Sequence, residues 1–418
     1  MNLIEKILAS KSGKKEVTPG DVVVADVDTL LLHDLSGYLT GRVLDKEVKR
    51  PILRPDRVCM VFDHHFSPAS EERANVLQEN RDFARRHGIR HFDCGSGNIH
   101  HVAIQKGFIK PGFVVVGSDS HTPVHGTFGA FATGLGNNAH ASMVMPFSKA
   151  WFRVPETYNV NLRGRLPRGS SARDVAQFLI GDIGEGGAIY KAIEFTGEFV
   201  DSLDVSDQLL LPLLTIDIGA KTGYIDPSQK TIDYLSQWSE GPFELVHNDP
   251  DVTYARTLEY DVSHLEPQVA CPPTVGNVKS VQEVAGTLID IAEVGGHGGG
   301  RIDDIRMLAQ LMRGHKVNPN VRLQVVPNSR WVFLQALREG LVEELYLAGA
   351  NWFPAGAGSN QSANMGAMTA RERMICSQAR NFPGRNGSPL AEVYLASALT
   401  VAAAAIKGEI ADPREFLE

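Results

Sequence analysis

Short apolar runs alternate with longer amphipathic segments along most of the chain. Residues 57–62 (RVCMVF) and 113–116 (FVVV) are strand-like apolar runs, and the helical pattern of residues 68–87 lies between them. A further strand pattern covers residues 157–166. Strands that alternate with helices are typical of an α/β fold whose sheets are mainly parallel. We therefore predict this fold class.

Two interruptions divide the pattern into three segments. Residues 153–155 (RVP) precede a new strand signal, and residues 267–273 (PQVACPP) form a second break. A chain of 418 residues is long enough for two or three domains rather than one. The predicted domains are residues 1–154, 155–268 and 269–418.

The overall charge and the cysteine content exclude several classes of protein. A formal net charge of −8 is unlike that of a general nucleic-acid-binding protein, which needs a basic face. No apolar run approaches the ~20 residues of a membrane span, and the charged start of the chain (MNLIEK) is unlike a signal peptide. The four cysteines form no CxxC pair and predict reduced thiols. We expect a cytoplasmic protein that binds neither nucleic acid nor membrane.

Acidic and histidine side chains follow two of the predicted strands. One apolar run leads directly into an Asp-His pair, and the other is followed within five residues by a second Asp and His. Ligand sites of α/β folds gather at the carboxyl ends of strands. Pairs of carboxylate and imidazole groups suit proton transfer near neutral pH, because each group tunes the pKa of the other. The candidate catalytic residues are Asp63, His64, His100, Asp119 and His121.

A second candidate site is the loop of residues 380–385 (RNFPGR), which carries Arg380 and Arg385. The planar guanidinium binds a carboxylate through two parallel hydrogen bonds, so two arginines on one glycine-containing loop could converge on an acidic ligand. From the spacing alone, a solvated basic loop is the better interpretation.

Two segments are rich in glycine. Residues 134–139 (GLGNNA) imitate a dinucleotide-binding motif, but the residues before them form no clean strand pattern. The sequence therefore does not predict a dinucleotide site. Residues 295–300 (GGHGGG) are a local glycine run, which we place between a predicted helix and Arg301.

Several longer motifs resemble those of one enzyme family. The segments GSDSHT at residues 117–122 and HGTFGA at 125–130 are similar to the signature of the aconitase superfamily. IEFTGE at 193–198, and RNFPGRNGSP followed by AEVYLAS at 380–397, resemble the large subunits of 3-isopropylmalate dehydratases. The similarity covers essentially the whole chain. It implies an aconitase-like, three-domain α/β/α architecture with mainly parallel sheets.

The resemblance also implies a reaction and roles for the candidate residues. In this family a [4Fe–4S] cluster, held by three cysteines, binds the substrate hydroxyl and a carboxylate while a proton is removed and water leaves. A separate small subunit with a swivelling domain supplies a serine as the catalytic base. The histidines that would assist the departing hydroxyl are His64, His100 and His121, supported by Asp63 and Asp119. The implied substrate-binding residues are Ser120, Tyr38, Asn364, Arg380 and Arg385.

The chain departs from the family pattern at all three cluster-binding positions. His297 stands where the first cysteine is expected, and Ala357 and Asn360 replace the other two. Since a [4Fe–4S] cluster needs thiolate donors, we predict that the chain holds none. His297 becomes the candidate either for the ligand of one Fe, Zn or Mn ion or for a general acid. Further departures near the same site are Leu213, Asp217 and Ala379.

Three functions are compatible with these residues, and the first is favoured. The chain could be a cluster-independent lyase or isomerase of a small hydroxy- or amino-polycarboxylate, since the Asp, His and Arg residues are kept. It could instead be a non-catalytic paralogue that binds a carboxylate or a partner subunit, as the lost cysteines suggest. RNA binding occurs elsewhere in this superfamily, but the net charge of −8 weighs against it.

Overall fold

The computed structural model describes residues 1–136, 138–360 and 365–417, and it contains three large sheets with helices packed against them. The strands are β1 (Val22–Asp26), β2 (Thr29–His33), β3 (Val58–Val61), β4 (Arg90–Phe92), β5 (Val114–Gly117), β6 (Phe131–Gly134), β7 (Lys149–Arg153), β8 (Thr157–Arg163), β9 (Ala192–Thr196), β10 (Thr222–Ile225), β11 (Arg256–Asp261), β12 (Gln268–Ala270), β13 (Val278–Ser280), β14 (Ile291–Val294), β15 (Arg322–Val325), β16 (Asn351–Trp352), β17 (Arg373–Cys376) and β18 (Glu392–Leu395). The α-helices are α1 (Leu3–Lys11), α2 (Asp34–Val43), α3 (Glu71–His87), α4 (Ile99–Gln105), α5 (Asn138–Phe147), α6 (Ala172–Ile183), α7 (Glu198–Ser202), α8 (Val205–Gln208), α9 (Leu210–Leu213), α10 (Gln229–Leu235), α11 (Val281–Val284), α12 (Ile302–Met312), α13 (Arg330–Arg338), α14 (Leu341–Ala348) and α15 (Ala398–Lys407). Other helical turns are Leu44–Val48, Pro55–Arg57, Thr122–Phe128, Leu214–Ile218 and Pro413–Phe416.

The three large sheets are mainly parallel, as predicted. In strand order they are β4-β3-β2-β5-β6, β10-β9-β8-β11 and β13-β12-β18-β17-β14-β15-β16. Every described pair in the first two sheets is parallel. In the third sheet, β12 pairs antiparallel with β13 and β18, and the other described pairs are parallel. The predicted α/β class is confirmed.

Each large sheet is built from consecutive strands. Strands β2–β6 form the first sheet, β8–β11 the second and β12–β18 the third. The apolar interior does not follow the same division, because one buried cluster joins Leu31 of the first sheet to Val160 of the second. The division into domains 1–154, 155–268 and 269–418 stays a prediction.

Fully buried strands bring their carboxyl ends together near one site. β3, β5 and β14 are buried along their whole length, as expected for parallel strands that are covered on both faces. β3 and β5 both pair with β2, so the loops that follow them are neighbours at one end of the first sheet. β14 pairs with β17 in the third sheet, which places the glycine run beside the loop that follows Cys376.

Two of the predictions of local structure are wrong. The glycine run at residues 295–300 follows strand β14 rather than a helix, because the apolar run before it is buried between β15 and β17. The segment at residues 134–139 begins at the end of strand β6, although its sequence gave no clean strand pattern. Short apolar runs have no periodicity that separates a buried strand from a buried helix.

The helix predicted at residues 68–87 is present as α3, with a start three residues later. The Ser70 side chain caps it by accepting a hydrogen bond from the Arg73 N–H at 3.3 Å, and Gly88 ends it in the left-handed conformation at φ 67°. With 17 residues, α3 is the longest of the described helices. No helix in the described ranges combines the length and the apolar character that a bilayer span requires.

Candidate active site

His64 and Asp63 follow strand β3 and form a close pair. His64 Nδ1 and Asp63 Oδ1 are 2.8 Å apart, and both side chains are buried. Asp34, the first residue of α2, fixes this turn because its carboxylate accepts three successive backbone N–H groups, beginning at Asp63, at 2.7–3.1 Å. The second oxygen of Asp63, Oδ2, accepts the Ile99 N–H at 2.8 Å. The Asp63 carboxylate is therefore held from two sides.

His297 projects from the glycine run into the same cluster. Its Nε2 lies 3.5 Å from Asp63 Oδ2, and its Nδ1 lies 3.5 Å from Asp119 Oδ2. One imidazole thus contacts two carboxylates. The Nε2 atom is buried and makes no hydrogen bond within the described residues. The ring centroid is 5.2–6.0 Å from the centroids of three other histidines, His64, His100 and His121.

A buried arginine from α6 holds the glycine run in place. Arg173 donates hydrogen bonds to the carbonyl oxygens of Gly298 at 3.0 Å and Ser377 at 3.2 Å, and to that of Gln378. A Cβ atom on Gly298 would lie 2.3 Å from the Arg173 guanidinium, so the close approach requires glycine there. The position of His297 is therefore set by a side chain from a distant part of the sequence.

Asp119 connects the histidines on the other side of the cluster. Its Oδ1 accepts the His121 backbone N–H at 2.7 Å and lies 3.3 Å from His100 Nε2. Burial opposes ionisation, but the surrounding histidines outweigh it and hold the pKa of Asp119 well below its ordinary value. His121 Nε2 lies 3.6 Å from Asp217 Oδ2. Asp217 Oδ1 accepts a hydrogen bond from Arg380 Nε at 2.8 Å, which links the cluster to the arginine loop.

Arg385 is a buried cation without a carboxylate partner in the described part of the chain. It is 8% exposed, and its Nε makes no hydrogen bond there. Its guanidinium lies 5.2 Å from the ring centroid of Phe382. Burial, followed by the nearby charge of Arg380, lowers the pKa of Arg385 to about 10. Since a buried unpaired charge is costly, an anionic ligand would be stabilised at this position.

Burial and neighbouring charges give the two central histidines different protonation states. Burial opposes the charged form of His64, but the Asp63 and Asp34 carboxylates outweigh it and raise the pKa of His64 to about 10. At His297 burial dominates and lowers the pKa to about 4. At neutral pH the site therefore holds a protonated His64 beside a neutral His297.

Among the described residues, two sets of buried donor atoms are close enough to hold a metal ion. Within each set the ligand atoms lie within 4.8 Å of one another, and the sets are His64, Asp119 and His297, and His33, Asp34 and His64. The donors in both sets are imidazoles and carboxylates. Cys376, at the end of β17, is buried, and burial raises the pKa of its thiol to about 12. Its thiol is therefore protonated at neutral pH.

Comparison with known proteins identifies the family. The model of the aconitase family (aconitate hydratase) matches residues 5–287 and 274–408. The chain belongs to the aconitase family. It is 42% identical over 416 residues to the 3-isopropylmalate dehydratase large subunit 1 of Methanopyrus kandleri, with 99% of each chain covered.

Two aconitase-family relatives from Methanothermobacter thermautotrophicus are similar over the same length. A probable 3-isopropylmalate dehydratase large subunit is 43% identical over 414 residues, with 99% of each chain covered. A probable methanogen homoaconitase large subunit is 39% identical over 420 residues, with 99% of this chain and 98% of the relative covered. The family similarity therefore covers both the Asp and His residues at the strand ends and the arginine loop at residues 380–385.

The three positions at which the aconitase-family pattern predicts cluster cysteines lie around the histidine cluster. His297 is inside it. Asn360 Nδ2 is 3.2 Å from His64 Nε2, and the Ala357 N–H donates a hydrogen bond to the Asp63 carbonyl oxygen at 2.9 Å. The structure thus brings all three together, and their interpretation as altered cluster positions stays a prediction.

Of the predicted substrate-binding residues outside the arginine loop, the structure brings Ser120 to the cluster. Ser120 Oγ is 3.4 Å from His121 Nδ1. Tyr38 is half-buried on α2, where the Arg42 guanidinium lies 5.2 Å from its ring centroid, and no described hydrogen bond or ring contact joins it to the histidines. Asn364 lies outside the described residues. The roles of these residues stay predictions.

Three residues that shape this aconitase-family site were not predicted as site residues. Asp34 follows strand β2 as Asp63 follows β3, so the rule about strand ends could have found it. The His125 ring centroid lies 5.5 Å from that of His100, and neither of its buried ring nitrogens has a partner among the described residues. Arg173 looks like an ordinary helix arginine in the sequence, and no local signal marks it.

Proposed function

We propose that the chain is an aconitase-family lyase or isomerase that acts on a small hydroxy- or amino-polycarboxylate without a [4Fe–4S] cluster. The observation that supports this most strongly is the position of His297, whose imidazole lies 3.5 Å from both the Asp63 and the Asp119 carboxylates. A histidine thus lies inside the cluster of acids and bases, at a position where the family pattern predicts a cysteine. The surrounding residues are those of a site for proton transfer.

The donors around His297 fit one metal ion and do not fit an iron–sulfur cluster. A [4Fe–4S] cluster needs thiolates, and no cysteine belongs to either donor set among the described residues. His64, Asp119 and His297 would hold a single Fe, Zn or Mn ion, which when bound would polarise a hydroxyl or carboxylate oxygen as a Lewis acid. Since ligands must be deprotonated, binding would release the proton of His64.

Without a metal, the same residues support acid catalysis. His64 is protonated at neutral pH and can give its proton to a departing hydroxyl, which leaves as water when the carbon–oxygen bond breaks. The hydrogen on the neighbouring carbon must leave as a proton, and its bonding electrons form the new double bond. His297 is neutral and would donate one hydrogen bond to the substrate.

The charge of the proposed substrate matches the arginines. Arg385 is buried and lacks a carboxylate partner in the described residues, so a substrate carboxylate would compensate its charge. Arg380 is already paired with Asp217, at 2.8 Å, and is the less available of the two cations. A polycarboxylate is therefore the substrate class that this site supports best.

The proposed enzyme is cytoplasmic and works with a separate small subunit. Its relatives from Methanopyrus kandleri and Hydrogenobaculum are named as large subunits of 3-isopropylmalate dehydratase. The large subunit itself supplies proton donors and a buried arginine. We assign the base that removes the carbon-bound proton to the small subunit.

Metal analysis of protein purified without oxygen tests the cluster-free proposal. We expect a colourless preparation with no acid-labile sulfide and at most about one equivalent of a divalent metal. A brown preparation with several equivalents of iron and sulfide per chain would contradict the proposal.

An activity screen then tests the proposed reaction. Turnover is followed by the ultraviolet absorbance of an unsaturated product across a panel of hydroxy- and amino-polycarboxylates. If no substrate reacts with or without added metal and small subunit, the non-catalytic alternative is favoured.

A further inference from the structure

A second cavity lies away from the histidine cluster, between strand β7 and helix α5. Its volume is about 340 Å³, at the lower end of the range of about 300–1,000 Å³ that is usual for sites of small molecules. Its walls are largely apolar and include Met143, Val144, Trp151 and Phe152. Trp151 is 62% exposed, so its large ring is available to a ligand.

Two lysines are among the polar side chains at this cavity, with His140 and Tyr190. The lysines are Lys149 and Lys221, and no Asp or Glu of the described residues lines the cavity. Lys149 lies 3.5 Å from Asp26, whereas Lys221 forms no ion pair within the described ranges of the chain. Lys221 is half-buried, and this burial lowers the pKa of its ammonium group. A bound carboxylate would give this partly desolvated ammonium a charge-assisted hydrogen-bond partner.

Tyr190 forms a fixed part of the cavity wall beside Lys221. The Lys221 ammonium lies 5.6 Å from the Tyr190 ring centroid, and the Arg153 guanidinium lies 4.7 Å from it on the same ring. The Tyr190 backbone has φ 60°, a left-handed conformation that is uncommon outside glycine. Such conformations persist where the surrounding structure fixes them, and they are enriched at ligand sites. The fixed backbone of Tyr190 therefore sets where its ring enters the cavity wall, beside the Lys221 ammonium.

We propose that this cavity binds a small monocarboxylate with an apolar or aromatic tail. The tail would pack against Trp151 and Phe152, and the carboxylate would pair with Lys221. Apolar walls with one or two convergent polar groups are the usual composition of small-molecule sites. The site is separate from the polycarboxylate site, because none of the predicted catalytic residues or arginines lines it.

Calorimetric titration of the full chain with 4-phenylbutyrate and with its neutral amide tests the proposal. We expect saturable binding of the carboxylate at one site and binding of the amide that is weaker by roughly tenfold or more, since a charge-assisted bond is lost. Lys221→Met should remove the preference for the carboxylate, and Lys221→Arg should keep most of it. Lys46→Met, at an exposed lysine outside the cavity, should leave both affinities unchanged.

A second variant separates this cavity from other binding sites and from misfolding. Trp151→Ala changes an exposed side chain, so it should preserve the thermal unfolding temperature and weaken the binding of both probes. The proposal is overturned if neither probe binds saturably, if the two probes bind equally well, or if binding survives unchanged in Trp151→Ala. It is also overturned if Lys221→Met folds and keeps the preference for the carboxylate.

Discussion

At the scale of single residues, His297 is the side chain on which the proposed chemistry depends. It has two carboxylates at 3.5 Å, and yet burial lowers its pKa to about 4. A neutral imidazole has a free lone pair for a metal and one N–H for a substrate. His64, in the same cluster, is protonated because the Asp63 carboxylate at 2.8 Å and the Asp34 carboxylate at 3.7 Å outweigh its burial. These two carboxylates thus give His64 a proton to donate, whereas His297 stays neutral.

Replacing His297 by alanine should separate these two roles. We expect turnover to fall by about a hundredfold or more if the imidazole acts in proton transfer or metal binding. Zinc titration of the same variant shows which role applies, because loss of zinc binding together with activity indicates a metal ligand. His247→Ala, at an exposed histidine, is the control. A His297→Ala variant that keeps both activity and metal would mean that the chemistry lies elsewhere.

Arg385→Lys tests the substrate carboxylate site. Lysine keeps the charge but loses the planar pair of donors, so affinity for the substrate should fall about tenfold or more. Arg371→Lys, at an exposed arginine, should leave the affinity unchanged. The measurement is the KM or the dissociation constant of the polycarboxylate found in the panel. Equal affinities in the two variants would remove Arg385 from the substrate site.

At the scale of elements, the site is assembled by short loops after buried parallel strands and by one turn of helix α4. His100 points to the cluster, 3.3 Å from Asp119, while the next residue, His101, is held by Asn98 Oδ1 at 3.0 Å. Consecutive helical residues point in different directions, so only one of the two reaches Asp119. Burial lowers the pKa of His101 to about 3 and that of His125 well below its ordinary value of 6.5.

These two neutral histidines make the stability of the protein sensitive to acid. As pH falls below 6.5, histidines in the unfolded chain bind protons while buried His101 stays neutral until about pH 3. The free energy of unfolding should therefore fall with pH in this window, by up to about 1.4 kcal/mol per pH unit for each such histidine. His101→Gln should flatten the slope in denaturant titrations at several pH values, and His247→Gln should not. An unchanged slope in His101→Gln would show that His101 is protonated in the folded state.

At the scale of the whole molecule, residues from all parts of the chain meet at one site. Asn360 lies 3.2 Å from His64, and Arg173 of the second sheet's region fixes the loop that carries His297. The fold class, the strand-end pairs and the arginine loop were predicted, because strand patterns and long motifs are local. His297 was also predicted as a site residue. Its contact with two carboxylates at once and the role of Arg173 were not predicted, because they depend on how separate sheets pack.

The dependence on a small subunit is a prediction at the same scale. The chain alone should show little or no turnover, since the base is proposed to come from the partner. Adding the small subunit should restore turnover and form a complex with an interface of at least ~1,000 Å². Activity with a panel substrate is compared with and without the partner, and association is measured by sedimentation. Full activity of the isolated chain would contradict this prediction.

The sequence by itself determined the α/β class, the family and most of the residues that enter the site. Hydrophobic periodicity and long motifs are local patterns, so they can be recognised in the sequence before the fold is known. The tertiary structure alone decided which atoms meet: the three N–H groups on Asp34, the bridging position of His297, and the burial of Arg385 without a carboxylate partner among the described residues. The protonation states of the histidines also depend on this packing, because burial and the distance to neighbouring charges set each pKa. Neither quantity can be inferred from the sequence alone.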